Sequence, residues 1–357
     1  LAVNIIGNVG IGSGYRQAVS NIMECFNRSS FSCDYFLTNG DSANVGYPKS
    51  GQNPNINFFV SAPPYINYKS AYNIGYFYWE AKPFPSQWKN GIRLLDEIWA
   101  PCGLVADCAR DMGFSGKIKI VPTPMRKINK SRKMINFAIN DGMVISEKCF
   151  KFYSIFQWQY RKGFDVLLSS YFNTFSSKDN VVLILKVNKL HSDDFRGQIN
   201  KAVKNAKRRV GYKKFAPIIV IDYFIDNDKM DALHRFGDCF VLPHRGEGWG
   251  MPIARAIMHD NHVITTKYGG ITEYLDNDCA NIISHSETPV SNMQWCNLYS
   301  GNQIWAEPDP ISLSNNMKNL YLNEKDYLFK IINANHIKEK ISMESFIDTI
   351  ERELVKI

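Results

Sequence analysis

The chain has 357 residues, 45% hydrophobic and 21% charged, an ordinary globular balance with enough length for two average domains. No run approaches the roughly 18 apolar residues of a membrane span, and the opening LAVNII lacks the basic start of a signal peptide. The expectation is a soluble, cytoplasmic protein, and its formal net charge of +8 suits anionic partners such as phosphates or the periphery of an anionic membrane.

In chain order, the first half offers short β-branched or aromatic runs: NIIGNV, CDYFLT, INFFVS, YNIGYFY, EIWAPC and KIKIVPTP. Each is followed by a loop and amphipathic residues. After a basic Ser- and Asn-containing stretch at about 126–145, the pattern restarts with CFKFYSIF, VVLILKV, PIIVIDY, CFVLPH and HVITTKY. Such alternation predicts an α/β fold with parallel sheets covered by helices on both faces. Two doubly wound, Rossmann-like domains are expected at 1–135 and 136–333, facing across a cleft. A helical tail at 334–357 is expected to pack back across one of them.

Eight cysteines are scattered without a C-x-x-C pair, which reads as reduced, buried thiols rather than a disulfide framework or a zinc site. The basic clusters RKINKSRK (126–133) and KNAKRR (204–209) lack the interleaved aromatics and zinc spacing of nucleic-acid modules, so nucleic acid ranks last among the partners.

In doubly wound sheets, ligands sit outside the carboxyl ends of the strands, where helix N-termini present backbone N–H groups. Gly10, Gly12 and Gly14 follow the first strand, but the third position from Gly10 is Tyr15 and from Gly12 is Gln17, so the G-x-G-x-x-G dinucleotide fingerprint fails. Gly12 and Gly14 still permit close approach of a phosphate or sugar, although a tight turn alone also accounts for them. The richer signal is HRGEGWGMP at 244–252. There a glycine turn aims the N–H groups of Gly248, Trp249, Gly250 and Met251 at one point, with Pro252 suited to the first helical turn, while Glu247 can accept hydrogen bonds from hydroxyls. A phosphate next to a sugar fits both halves.

PHRGEGWGMPIARA followed by HVITTKYGGITEYL resembles the nucleotide-sugar site of retaining glycosyltransferases of the GT-B fold, glycosyltransferase family 4. QYRKGFDVLLSSYF at 159–172 looks like that family's diphosphate-binding loop and following helix. YWEAKPFPSQW, DEIWAPCGLVADCARDMGF and KIVPTPM extend the likeness, which spans about 3–285. The resemblance implies an acceptor-side first domain and a second domain that binds the nucleotide sugar. Arg161 and Lys162 would hold the donor's diphosphate, with Gly163 allowing the close turn. Glu247 would contact the transferred sugar, and Glu80 matches the region where relatives place a sugar-contacting catalytic residue, an assignment that competes with an N-cap or a rim ion pair. His244 has two readings, facing the ligand or satisfied in the structure.

Two departures stand out. Arg255 occupies the position where relatives commonly carry a second glutamate for the ribose; arginine cannot accept a hydrogen bond, but as a donor-side residue it could pair with the diphosphate or with Glu247. Gln157 stands where many carry a first phosphate-binding arginine, for which Arg161 or Lys186 could compensate. The expected activity is transfer of a sugar, retaining its configuration, from a UDP- or GDP-linked donor to a hydroxyl of a glycan or other acceptor. No metal is expected, no cofactor beyond the donor substrate, and the departing phosphate oxygen would accept the acceptor's proton. The rivals are a catalytically silent nucleotide-sugar-binding protein, raised by Arg255, and a nicotinamide-dependent dehydrogenase, disfavoured by the failed fingerprint.

Overall fold

A computed structural model describes residues 2–8, 14–38, 55–63, 71–128, 146, 148–189, 194–211 and 214–357. The first sheet contains β1 (Ala2–Asn8), β2 (Ser32–Thr38), β3 (Ile56–Val60), β4 (Tyr72–Gly75), β5 (Glu97–Ala100) and β6 (Lys117–Ile120), all parallel in the order β2-β1-β3-β4-β5-β6. Its helices include α1 (Gly14–Asn27), the short α2 (Lys89–Ile92) and α3 (Gly103–Asp111). The apolar runs read from the sequence supply these strands because residues buried on both faces of a parallel sheet need no polar alternation. Polar residues pin the register. Asn4 donates to Asn57 and Asn57 to Asn73, both at 3.1 Å, forming a buried side-chain ladder across β1, β3 and β4.

The second sheet begins with β7 (Phe150–Gln157), then α4 (Phe164–Thr174), β8 (Val181–Asn188), α5 (Phe195–Val210), β9 (Ile218–Ile221) and α6 (Asn227–Phe236). It continues with β10 (Cys239–Leu242), α7 (Met251–Met258), β11 (His262–Thr266) and β12 (Asn281–Ile283). These strands are parallel in the order β12-β11-β10-β7-β8-β9. Strand order reverses between β7 and β10, so the loops after these two strands flank the switch point where doubly wound sheets form their ligand crevice.

A hairpin, β13 (His285–Pro289) and β14 (Ile304–Pro308), leaves the second sheet before α8 (Pro310–Leu322), α9 (Leu328–Asn333) and α10 (Asn335–Lys340). The last helix, α11 (Met343–Leu354), places Met343, Phe346, Ile350 and Leu354 in one core with Val3, Ile5 and Trp99 of the first sheet. That spacing is one helical stripe. All eight cysteines are free, six of them buried. No helix among the described residues is long and apolar enough to cross a membrane. The basic linker expected at 126–145 lies largely outside the described residues, as does Gly12.

Candidate functional site

Beyond β7 the chain makes a single tight turn at Tyr160–Lys162 and enters α4 through Gly163, whose φ is 67°. A side chain at 163 would also put its Cβ 1.8 Å from the carbonyl oxygen of Pro243, so both conformation and space demand glycine. The turn presents Arg161 and Lys162 together at the switch point. On the other side, the loop after β10 runs from Pro243 to Gly250, a left-handed cap residue at φ 81°, and α7 starts at Met251 and Pro252. Gly246 and Gly248 allow this loop to touch the first domain. A Cβ on Gly246 would lie 2.5 Å from the Glu80 carbonyl oxygen, and one on Gly248 2.8 Å from Tyr78 Cβ.

The charges converge here. The Lys162 ammonium donates to Glu247 Oε1. Arg161 Nη1 donates to the Gly246 carbonyl at 2.6 Å and lies 3.9 Å from Glu247 Oε2. Its Nε lies 3.0 Å from Glu80 Oε1 as an ion pair, but that N–H is not aligned on the oxygen and has no hydrogen-bond acceptor among the described residues. Tyr299 Oη donates to the same Glu80 oxygen. Lys162, Glu80 and Glu247 are buried, at 9%, 8% and 5% exposure, so their charges survive only as a mutually compensating set.

Burial would raise the Glu247 carboxyl, but Lys162 and Arg161 hold it below the usual carboxylate range. Lys162 is lowered by burial and by neighbouring Arg161, against the pull of Glu247. Arg161 is raised: burial opposes its charge, and Glu80 leads the groups that favour it. The result is a fixed pair of cations poised beside two carboxylates, an arrangement that can exchange internal anions for those of a ligand.

Other residues singled out from the sequence are distributed differently. His244 is fully buried, and its ring nitrogens have no hydrogen-bond partner among the described residues, the Thr266 backbone lying near without reaching hydrogen-bond geometry. Burial, Lys162 and Arg161 push its imidazole down to about 3 despite the opposing Glu247, so it is neutral. The Trp249 indole packs against Tyr274, ring centroids 4.7 Å apart, within the second core, leaving only its backbone for the turn. Lys186 is buried on β8, donating to Asn188 Oδ1 at 2.6 Å and the Val187 carbonyl at 3.1 Å, and burial lowers it to about 8. Gly14 is the first residue of α1.

Arg255 does not join the charged cluster. Its guanidinium turns to α6, with Nε 2.9 Å and Nη2 2.7 Å from Asp231 Oδ1. Arg255 is the fifth residue of α7, and from there Asp231 on α6 supplies its counter-charge.

Sequence reasoning missed Arg245, Asp165, Glu307 and Tyr299. Arg245 is 1% exposed and places all five of its N–H donors: two on Asp165, two on Glu307 and one on the Tyr160 carbonyl, at 2.7 to 3.0 Å. The only local signal was an arginine touching the glycine turn, and its direction is set by tertiary packing.

No protein-family model and no curated protein matches the chain in sequence. Among solved structures it is similar to HepE of Anabaena in complex with UDP and glucose, at 9% identity and TM-score 0.67 over 100% of both chains. A trehalose-6-phosphate synthase studied for glycosyltransfer with retention aligns at 9% identity and TM-score 0.63, covering 100% of this chain and 99% of that one. The pneumococcal O-GlcNAc transferase GtfA with UDP and GlcNAc aligns at 11% identity and TM-score 0.53, over 84% of this chain and 56% of its own. With its two six-stranded parallel sheets, the chain has the GT-B fold expected from the sequence.

Proposed function

We propose that the chain is a glycosyltransferase that moves a sugar from a UDP- or GDP-linked donor to a hydroxyl of a glycan or other acceptor, retaining the anomeric configuration. The observation that carries this proposal is the buried set Arg161, Lys162, Glu247 and Glu80 at the switch point, beside a helix N-terminus. Shared fold with structures that hold UDP and sugars supports it, as does the retaining synthase among them.

A diphosphate entering the crevice takes Lys162 from Glu247 and offers the unsatisfied Arg161 Nε an oxygen. Glu247, released, accepts hydrogen bonds from the sugar hydroxyls. As the bond from the anomeric carbon to phosphate oxygen breaks, negative charge grows on the diphosphate, and Arg161, Lys162 and the N–H groups of Gly248 to Met251 stabilise it in this scheme. The acceptor oxygen bonds to the anomeric carbon on the same face, and its proton passes to the departing phosphate oxygen. Glu80 orients the acceptor side. These side chains and backbone dipoles supply the positive potential, so no divalent cation is assigned a role. Cytoplasmic residence, with the +8 surface touching an anionic membrane, is part of the same proposal.

The test is a panel of UDP- and GDP-sugars scored by thermal shift and then by turnover, with product configuration read by NMR. A folded-state ligand raises the melting temperature by mass action. Absence of both shift and turnover across the panel would sink the proposal. Binding without turnover would favour a silent sugar-nucleotide-binding protein, to which the missing carboxylate at position 255 lends weight.

A further inference from the structure

The hairpin β13–β14 belongs to the second half of the chain but docks on the first domain beside Glu80. Lys82 and Ile304 exchange backbone hydrogen bonds of 3.0 and 2.6 Å, and Gln87 Nε2 donates to the Asn297 carbonyl at 3.0 Å. Tyr299 stacks on Trp79 with centroids 5.0 Å apart, and Trp305 is buried in the same core as Trp79 and Trp88. These contacts bring the Tyr299 hydroxyl to Glu80 Oε1, the oxygen that also faces Arg161.

The far strand of the hairpin reaches the donor side. Ala306 N donates to the Arg245 carbonyl at 2.9 Å, and Glu307 receives Arg245 Nε and Nη2, each at 2.7 Å. Arg245 in turn stacks over the Tyr160 ring at 3.6 Å, holds the Tyr160 carbonyl at 2.8 Å, and its own N–H donates to the Arg161 carbonyl at 2.7 Å. The backbone on both sides of the Arg161 peptide is thereby fixed. A planar guanidinium with every donor used holds such a geometry in a way a lysine cannot.

Resting on the transferase proposal above, we propose that this hairpin is a positioning element of the transfer site. Tyr299 sets the Glu80 carboxylate, while Glu307, acting through Arg245, sets the reach of Arg161 and Lys162. Donor and acceptor sides come into register only when the hairpin is seated. Neither Tyr299 nor Glu307 is a catalytic residue in this scheme; each acts through another side chain.

Tyr299→Phe and Glu307→Gln separate the two arms. Each variant is compared with wild type in melting temperature, in calorimetric affinity for UDP and GDP, in steady-state kinetics with the donor found by the panel, and in hydrogen exchange at 78–84 and 158–164. For Tyr299→Phe the expected result is a kcat lower by about tenfold with donor KM and nucleotide affinity unchanged, and faster exchange confined to 78–84. For Glu307→Gln it is nucleotide affinity weaker by about tenfold with a matching rise in KM, and faster exchange at 158–164.

Equal changes in kcat and KM that track the loss of melting temperature would reduce the hairpin to scaffolding and overturn the proposal. Unchanged kinetics and exchange in both variants would overturn it too. If wild type binds neither nucleotide and turns over no donor, the transferase proposal fails by itself. The exchange measurements then decide whether the hairpin controls the two loops.

Discussion

Lys162 and Glu247 neutralise each other across the switch point, one from the turn after β7 and the other from the turn after β10, and both are buried. Lys162→Ala is expected to leave the buried Glu247 with only the more distant Arg161 as counter-charge, costing up to about 3–5 kcal/mol of stability. It should also weaken nucleoside diphosphate binding by about 1.5–3 kcal/mol. Adding Glu247→Gln should recover most of the stability but none of the affinity. Denaturant titration and calorimetry on the same proteins read both quantities, and unchanged nucleotide affinity in the single variant would place the diphosphate elsewhere.

Glu247→Gln alone removes the internal competitor for Lys162. Affinity for free UDP or GDP should stay level or rise, while the rate of sugar transfer falls, because the proposed role of that charge is at the sugar rather than at the nucleotide. Parallel losses in both would contradict this placement of the carboxylate.

Gly163→Ala forces a Cβ to within 1.8 Å of the Pro243 carbonyl at a φ of 67°. Left-handed strain alone costs about 1–3 kcal/mol, and the overlap adds to it, so the turn must shift and take Arg161 and Lys162 with it. Nucleotide affinity should fall by more than stability does. A variant that melts earlier but binds normally would show that the loop tolerates the shift.

The sheets were legible because their strands are continuous apolar runs such as VVLILKV, a pattern that burial on both faces imposes before any tertiary contact is known. HSETP and IWAEP lack that signature. They form a hairpin because Lys82 and the Trp79 core receive it, information that lies more than 200 residues away in the chain. The glycine turn and the RKG turn announced themselves by composition. The partner of each charge did not: Arg245 and Arg255 flank the same turn, and only packing sends one to Asp165 and Glu307 and the other to Asp231.

His244 gives a pH signature. Unfolded, its imidazole takes a proton near 6.5; folded, only near about 3. Between those values the unfolded chain binds the extra proton, so the stability from this residue is complete above 6.5 and is lost on acidification, at up to about 1.4 kcal/mol per pH unit. His244→Gln should therefore show a shallower fall in unfolding free energy between about pH 6.5 and 4. Parallel pH curves for variant and wild type would mean that the folded imidazole titrates normally.

Arg255 pairs with neither the diphosphate side of the crevice nor Glu247; its guanidinium lies on Asp231, whose carboxylate also accepts from His259 Nε2 at 2.9 Å. Burial would raise the Asp231 carboxyl, but His259 and Arg255 bring it down to about 2, so the pair stays ionised. Since this charge is matched locally, Arg255→Ala should change nucleoside diphosphate affinity by less than about 0.5 kcal/mol while costing about 1–2 kcal/mol of stability, between an exposed and a buried pair. Ribo and 2′-deoxy forms of one nucleoside diphosphate should bind within about 0.5 kcal/mol of each other, because an arginine turned to α6 offers the ribose no acceptor. Arg255→Glu would meet Asp231 as a like charge and lose stability; Asp231→Arg in the same chain should restore it by reversing the pair. A large loss of nucleotide affinity in Arg255→Ala, or a tenfold preference of wild type for the ribo form, about 1.4 kcal/mol, would show that α7 does grip the nucleotide and would overturn this assignment.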